Sequence, residues 1–253
     1  MLLHLGPALP WKPLLPVMPN LKERSYKKEL LDADDIPFDD IKKNMQELNT
    51  VNSLLGGHKI TIAGIKSIGT PQTSAPVLSI CEIGCGGGDN LDAINNWCRK
   101  NKVDANFTGI DIKKECIDFA KQQYPALNAT FITNDYAKVD LSANKPDIIF
   151  SSLFCHHFTE AELVKMIRWM KANSRKGFFI NDLQRHPLAY YSIKLLTSIF
   201  SRSYLVKNDA PLSVARGFKR KEWEEIFSIA GIRHYSIEWK WAFRYLIVCK
   251  HEQ

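Results

Sequence analysis

The sequence lacks the cysteine spacing of a structural metal site and of a disulfide-rich secreted protein. Its six cysteines, at positions 81, 85, 98, 116, 155 and 249, include no CxxC pair and no pairing with histidine at the spacing of zinc ligands. Cys81 and Cys249 lie in apolar stretches, where a free thiol behaves as a small hydrophobic group. We therefore expect a reduced, cytoplasmic chain with no metal site.

The chain also lacks an uninterrupted apolar run long enough to cross a membrane, and it has no compact run of lysine and arginine with interleaved aromatic residues. Its net charge of +7 is compatible with an anionic partner, but equally with an ordinary soluble enzyme. Without a basic cluster, the enzyme is the favoured interpretation. The length of 253 residues suffices for one large α/β domain or two small ones.

The first 18 residues differ in composition from the rest of the chain. Prolines recur at every third position, at 7, 10, 13 and 16, and this spacing excludes a helix. No basic segment precedes the apolar residues, so a signal peptide is not expected. We expect residues 1–18 to be a disordered leader and the functional chain to begin near Met18.

Residues 77–89 are the most informative stretch of the sequence. An apolar run typical of a buried parallel strand is followed by glycines at 84, 86, 87 and 88, and Asp89 then opens a helix. A dinucleotide-binding fingerprint needs glycine where Asp89 stands, and the lysine of a P-loop is missing. Because a carboxylate at a helix N-terminus would repel a pyrophosphate, we expect an adenosyl cofactor without phosphates, namely S-adenosylmethionine.

The pattern Glu82-x-Gly84-x-Gly86-x-Gly88 is similar to the first motif of the class I S-adenosylmethionine-dependent methyltransferases. The predicted alternation of strands and helices over residues 77–250 is also similar to that family. The resemblance implies a Rossmann-like, doubly wound α/β fold. In such a fold a seven-stranded, mostly parallel sheet ends in an antiparallel C-terminal hairpin.

The same resemblance suggests a domain organisation. Residues 19–73 are expected to form an N-terminal helical lid region, with an amphipathic helix over 39–55 and an irregular or strand-bearing connector over 59–73. Residues 74–253 are expected to form the methyltransferase domain, with a helical insertion around 188–216.

The cofactor site is expected at the carboxyl ends of the first strands. Asp111 ends the predicted strand 105–111, 23 residues after Gly88, where an acid can accept hydrogen bonds from ribose hydroxyls. The resemblance implies that Asp135 accepts from the adenine amino group, beside Tyr136. The alternatives are a helix cap for Asp111 and a plain turn for Asp135. The full expected set is Glu82, Gly84, Gly86, Gly88, Asp111, Ile112, Asp135, Tyr136 and Ser151.

The catalytic candidates are His156 and His157, which follow the predicted fourth strand. Similar small-molecule methyltransferases of the quinone-biosynthesis type carry a histidine-containing segment at this place. Histidine titrates near neutral pH, so one of the two could accept a hydroxyl proton or orient the acceptor. The alternative is that one of them only braces the loop through a backbone hydrogen bond.

The acceptor pocket is expected around the end of the fifth predicted strand. Solvated turn residues are the alternative interpretation. The candidates are Asn181, Asp182 and Arg185, with Arg216 and Phe218 added by their order in the chain. An apolar helix over 188–205 could roof this pocket, form a homodimer contact or touch a membrane surface.

Together these features favour O-methylation of a small, hydrophobic, phenolic hydroxyl acceptor. A resemblance to bacterial methyltransferases of polyketide and phenolic-lipid pathways points the same way. It is carried by Arg24-Ser25, Asn52-x-Leu54-Leu55-Gly56-Gly57 and Asn181-Asp182-Leu183-x-Arg185-His186-Pro187. Alternatives are C-methylation of a quinone-like ring, an RNA-binding methyltransferase and a nicotinamide oxidoreductase. DNA is not expected as a substrate, because the Asn-Pro-Pro-Tyr and Pro-Cys motifs of DNA methyltransferases are missing, and RNA is not favoured.

Overall fold

The computed structural model of the chain describes residues 19–33, 35–69 and 77–251. The expected leader, residues 1–18, lies outside the described residues. The expected boundary between the lid region and the methyltransferase domain also lies outside them, in the undescribed residues 70–76.

Seven strands form one sheet, in the order β3-β2-β1-β4-β5-β7-β6. Strands β1 to β5 are parallel, whereas β7 pairs antiparallel with both β5 and β6. This confirms the predicted Rossmann-like sheet with an antiparallel C-terminal hairpin. The strands, β1 to β7 in chain order, are Leu78–Ile83, Ala105–Asp111, Ala129–Thr133, Ile148–Ser152, Gly177–Leu183, Ser236–Lys240 and Arg244–Lys250.

Helices cover both faces of the sheet, as expected for parallel strands that are buried on both sides. Among the described residues, two α-helices precede β1, and three separate β5 from β6. The helices, α1 to α8 in chain order, are Phe38–Leu54, Gly57–Ile68, Asp89–Lys100, Lys114–Gln123, Glu160–Asn173, Pro187–Phe200, Tyr204–Arg216 and Arg220–Ala230.

The prediction of an irregular or strand-bearing connector over residues 59–73 is wrong, because residues 57–68 form helix α2. Gly56 adopts a left-handed conformation, with φ of 76°, and turns the chain from α1 into α2. Gly64 lets α2 approach the sheet, since a Cβ at this position would overlap the ring of Phe179. Burial against the sheet therefore stabilises a helix whose local sequence is rich in β-branched residues.

The prediction of one helix over residues 188–205 is also wrong, because the chain forms two helices, α6 and α7. The break falls at residues 201–203, where the Glu47 carboxylate accepts hydrogen bonds from the backbone N–H groups of Arg202 and Ser203. This carboxylate belongs to α1, so a contact remote in sequence ends α6. Within the described residues, no helix combines the length and the apolar character needed to cross a membrane.

Candidate cofactor and acceptor site

The glycine-rich loop that follows β1 exposes backbone without side chains at the carboxyl edge of the sheet. Gly84, Gly86 and Gly88 have φ values of 66°, 49° and 79°, a region that residues with a Cβ rarely adopt. At Gly84 a Cβ would also overlap the ring of Phe154. The glycines of the motif are therefore required both by the backbone conformation and by close approach.

Asp111 joins the end of β2 to this loop. Its Oδ2 atom accepts a hydrogen bond from Gly86 N–H at 2.9 Å, and its Oδ1 atom accepts one from Lys113 N–H at 2.9 Å. Burial raises the pKa of Asp111, although the two backbone hydrogen bonds oppose this shift. Each carboxylate oxygen has a second lone pair, so the group can still accept from two ribose hydroxyls.

Glu82 is buried under the loop and has one unused oxygen. Its Oε1 atom accepts from Asn90 Nδ2 at 2.9 Å, whereas Oε2 has no hydrogen-bond partner among the described residues. Burial, with the nearby charges of Asp89 and Asp111, raises the pKa of Glu82 well above its ordinary value. A buried carboxyl oxygen without a partner is the kind of atom that a ligand donor would satisfy.

The other expected cofactor residues follow β2 and β3 or lie within β4. Ile112 is 71% exposed and offers an open apolar surface after Asp111. Asp135 accepts from Ala137 N–H at 3.0 Å, so it also serves the turn that was its alternative role. Ser151 is buried, with its Oγ atom 3.2 Å from the Cys155 sulfur. Its side chain thus contacts the core behind the strand.

Four aromatic side chains form a wall beside the loop, which we call the aromatic wall. The Tyr136 ring lies edge-on to Trp169, with 5.3 Å between ring centroids, and Phe154 lies edge-on to Phe158 at 4.8 Å. The members of the wall are Tyr136, Phe154, Phe158 and Trp169.

The N-terminal helices are anchored on the first turn of α3. Asp89 accepts hydrogen bonds from Asn52 Nδ2 at 3.2 Å and from His58 Nε2 at 2.8 Å. Arg244 of β7 in turn donates from Nη1 to Asn52 Oδ1 at 2.9 Å. Asp89, whose carboxylate argues against a pyrophosphate, therefore has a positive role in holding α1 and α2 over the loop.

Helix α1 and Phe154 both lie close to the loop. The sulfur of Met45 would lie 3.6 Å from a Cβ on Gly86, and the ring of Phe154 would overlap a Cβ on Gly84. A cavity of about 90 Å³ separates α1 from α4. The donors and acceptors beside the loop fit an adenosyl ligand in kind.

Two histidines and three carboxylates meet at the carboxyl ends of β4 and β5. His156 donates from Nδ1 to Asp182 Oδ1 at 2.9 Å, and His157 Nδ1 lies 3.2 Å from Asp32 Oδ1. Both Nε2 atoms face the carboxylate of Glu29, at 3.6 Å from His156 and 3.7 Å from His157. We call Glu29, Asp32, His156, His157 and Asp182 the histidine cluster.

The cluster is strongly coupled because most of it is buried. Burial lowers the pKa of His156, but Asp182 and Glu29 outweigh this and raise it to about 9. Burial raises the pKa of Asp32, but the hydrogen bond and charge of His157 outweigh this and lower it to about 2. The pKa of Asp182 is likewise lowered by His156 against the effect of burial. The carboxylates are therefore ionised at neutral pH.

The N-terminal segment, residues 20–33, is held over the cluster by two arginines. Arg24 donates to the carbonyl oxygen of Phe158 at 2.9 Å, and its guanidinium lies 4.1 Å from the centroid of the Phe218 ring. Arg216 donates to the carbonyl oxygen of His156 at 3.0 Å. These contacts bring Glu29 to the histidines, although 127 positions separate it from His156.

The predicted acceptor residues divide into two groups. Asp182 and Arg216 lie at the histidine cluster. Asn181 instead donates to Ser152 Oγ at 3.1 Å inside the core, and Arg185 pairs with Glu222 while remaining buried. Phe218 is fully buried beneath Arg24.

Sequence reasoning missed several residues of the site. Glu29 and Asp32 lie in a charged stretch with no motif, and no local pattern distinguishes them from solvated surface residues. His58 and Arg244 carry no local signal either. Only their contacts across the fold reveal them.

Comparisons with known proteins agree with this geometry. Residues 80–177 match a family described as "Methyltransferase domain". No curated protein matches the sequence. Among solved structures, the plantazolicin methyltransferase BpumL in complex with S-adenosylhomocysteine is similar, at 20% identity and a TM-score of 0.56, over 80% of this chain and 73% of that one.

Human N-acetylserotonin methyltransferase in complex with S-adenosylmethionine is also similar, at 17% identity and a TM-score of 0.59. The similarity covers 86% of this chain and 57% of that one. At such low identities these structures are evidence for the fold alone. The family match shows that residues 80–177 resemble a methyltransferase domain, and the solved structures share its Rossmann-like fold.

Proposed function

We propose that this methyltransferase transfers a methyl group to the hydroxyl of a small, hydrophobic, phenolic acceptor. The observation that carries the proposal is the position of the histidine cluster beside the glycine loop. Phe154 packs against Gly84 on one side, and its ring centroid lies 6.3 Å from that of His157 on the other. One aromatic side chain thus separates the expected methyl donor from a group of imidazoles and carboxylates.

On the cofactor side, the chain needs only to bind and orient. Asp111 would hold the ribose hydroxyls, and Asp135 would face the adenine, with Ile112 as an apolar surface against the base. The unpartnered Oε2 atom of Glu82 offers a further acceptor within the loop region. S-adenosylmethionine supplies an electrophilic methyl group, so most of the rate enhancement comes from positioning donor and acceptor in line.

On the acceptor side, oxygen must lose a proton before or during methyl transfer. The histidine cluster can bind the hydroxyl and lower the cost of removing that proton, since it concentrates hydrogen-bond acceptors in a site that is mostly buried. The aromatic wall next to it suits an aromatic ring, whose faces and edges pack well against other rings. These two features together favour a phenolic hydroxyl.

Further parts of the proposal concern the surroundings of the site. Residues 19–69 would act as a lid, since Met45 and the Asp89 anchor place α1 and α2 over the loop. The exposed apolar residues of α6, which include Leu195, Ile199 and Phe200, are suited to a homodimer contact. We place the enzyme in the cytoplasm, acting on small molecules rather than on DNA or RNA.

The test is product analysis with the purified full-length chain. Incubation with methyl-labelled S-adenosylmethionine and a panel of phenols with apolar substituents should give methyl ethers, identified by mass spectrometry and NMR. A label found on ring carbon would replace the proposal with C-methylation of a quinone-like ring. Calorimetry with S-adenosylhomocysteine, and with NADH as the control ligand, tests cofactor use independently.

A further inference from the structure

The two imidazole rings of the histidine cluster direct their Nε2 atoms at one carboxylate, that of Glu29. The Nε2 to carboxylate oxygen distances are 3.6 Å for His156 and 3.7 Å for His157. Both are longer than the roughly 2.7–3.2 Å of an N–H···O hydrogen bond. The two rings and the carboxylate therefore surround a gap rather than forming short hydrogen bonds with one another.

The spacings match those between ligands of a metal ion. Nitrogen and oxygen ligands lie about 2.0–2.2 Å from zinc, and two such ligands on a tetrahedron are therefore roughly 3.4 Å apart. The candidate ligand atoms of Glu29, His156 and His157 all lie within 4.8 Å of one another. Two imidazoles and one carboxylate are also a ligand set that divalent transition metals accept.

The second ring nitrogen of each histidine supports the same interpretation. His156 donates from Nδ1 to Asp182, and His157 Nδ1 faces Asp32 at 3.2 Å. A carboxylate on Nδ1 fixes the tautomer that leaves the Nε2 lone pair free, and this arrangement accompanies most histidine ligands of metals. It occurs here on both rings.

Charge balance also favours a cation. Glu29 and Asp182 are buried carboxylates, and Asp32 is a third, partly exposed one. Among the described residues, Arg216 faces them with its Nη1 atom 3.7 Å from Asp32 Oδ2, whereas Arg24 is engaged with Glu160. Three carboxylates in one small cluster attract a cation electrostatically, and a divalent ion would supply two positive charges there.

From these observations we propose that Glu29, His156 and His157 form a binding site for a divalent transition-metal ion of the zinc type. The side chains of Glu29 and His156 are 5% and 3% exposed, whereas that of His157 is 23% exposed, so the site opens on one side. This side offers room for a fourth ligand, as in zinc sites that bind a substrate oxygen.

The role of the ion rests on the proposed function. A bound ion would hold the acceptor hydroxyl and lower its pKa, because a cation stabilises the oxygen anion. Binding of the ion itself does not depend on that role. The site was not expected from the sequence, since its carboxylate comes from a distant segment that carries no metal-binding motif.

The experiment uses the full-length chain, freed of metal by a chelator and titrated with zinc sulfate or cobalt chloride alone. Equilibrium dialysis should show about one ion per chain, and cobalt should give the visible absorption of a tetrahedral nitrogen–oxygen site. Glu29→Gln and His157→Ala should each abolish stoichiometric binding, and Asp32→Asn should weaken it about 10–100-fold. Matched controls are Glu224→Gln and His186→Ala, which remove a carboxylate and an imidazole elsewhere.

Three results would overturn the proposal: no stoichiometric ion on the wild type, unchanged binding in both ligand variants, or a sulfur-to-cobalt charge-transfer band. Circular dichroism checks that each variant is folded, and the partly exposed His157 provides a second variant should Glu29→Gln fail to fold. Binding of S-adenosylhomocysteine is measured on the same preparations. A chain that binds this cofactor product but no metal refutes the ion site and leaves the methyltransferase assignment intact.

Discussion

The two halves of the proposed site, a cofactor half and an acceptor half, are built in different ways. The cofactor half uses the ends of β1, β2 and β3, with a glycine loop and acids that follow their own strands closely in sequence. The acceptor half uses the ends of β4 and β5, but two of its carboxylates, Glu29 and Asp32, come from the N-terminal segment. Arg24 and Arg216 fasten that segment over the histidines.

The cofactor half therefore depends on residues that the sheet itself supplies, whereas the acceptor half also depends on residues from outside the sheet. Backbone N–H groups and strand-end acids can hold the same cofactor in any chain with this topology. Substitutions in the N-terminal segment, which carries Glu29 and Asp32, can alter the acceptor half without disturbing the strands. The predictions below therefore ask whether each half can be damaged alone.

The largest effect is expected from Asp182→Ala. His156 is buried with Asp182 as a direct partner, and Leu183 N–H also donates to this carboxylate. Removing one partner of a buried pair costs about 3–5 kcal/mol in the free energy of unfolding. Urea denaturation measures this loss, with the exposed Asp140→Ala as the control. A loss below about 1 kcal/mol would show that the cluster does not depend on this pair.

His157→Ala should impair turnover and spare the cofactor half. Loss of a group that binds the reacting hydroxyl lowers kcat by about 100-fold or more. Affinity for S-adenosylhomocysteine should stay the same, because His157 lies on the acceptor side of Phe154. Calorimetry and single-turnover assays check both, with His186→Ala as the matched control. An equal fall in cofactor affinity would contradict the division into halves.

Asp111→Ala should instead impair binding of the cofactor. The variant loses the expected ribose acceptor and the hydrogen bond from Gly86 N–H, so affinity for S-adenosylhomocysteine should fall at least about tenfold, or 1.4 kcal/mol. Asp104→Ala, which removes an exposed acid before the same strand, should bind normally. Unchanged affinity in Asp111→Ala would remove the ribose assignment.

The smallest effect is expected from Thr159→Ala, just beyond the acceptor half. Thr159 and Glu162 form a capping box at the start of α5, and losing a cap costs about 1 kcal/mol. Thermal unfolding should show a lower Tm, while cofactor affinity is unchanged. Altered cofactor binding in this variant would mean that helix stability, and not the named side chains, governs the site.

Much of the fold could be predicted from the sequence because its signals are local. The strands 105–111, 129–133 and 177–183 have the predicted bounds, and the capping box at Thr159 is present. The glycine loop was recognisable because the residues that need a left-handed conformation or close packing are near one another in the sequence. The expectations of a connector over residues 59–73 and of one helix over 188–205 were wrong where remote contacts, with Phe179 and Glu47, decided the local structure.

The sequence by itself determined the sheet and the glycine loop, because apolar periodicity, glycine spacing and strand-end acids act over a few residues. Only the tertiary structure decided which groups surround His156 and His157. Packing brings Glu29 and Asp32 to the two histidines from the N-terminal part of the chain. No local sequence pattern indicates a contact between residues more than 120 positions apart. The free energy of that contact depends on burial and on paired charges, and these exist only once the chain has folded.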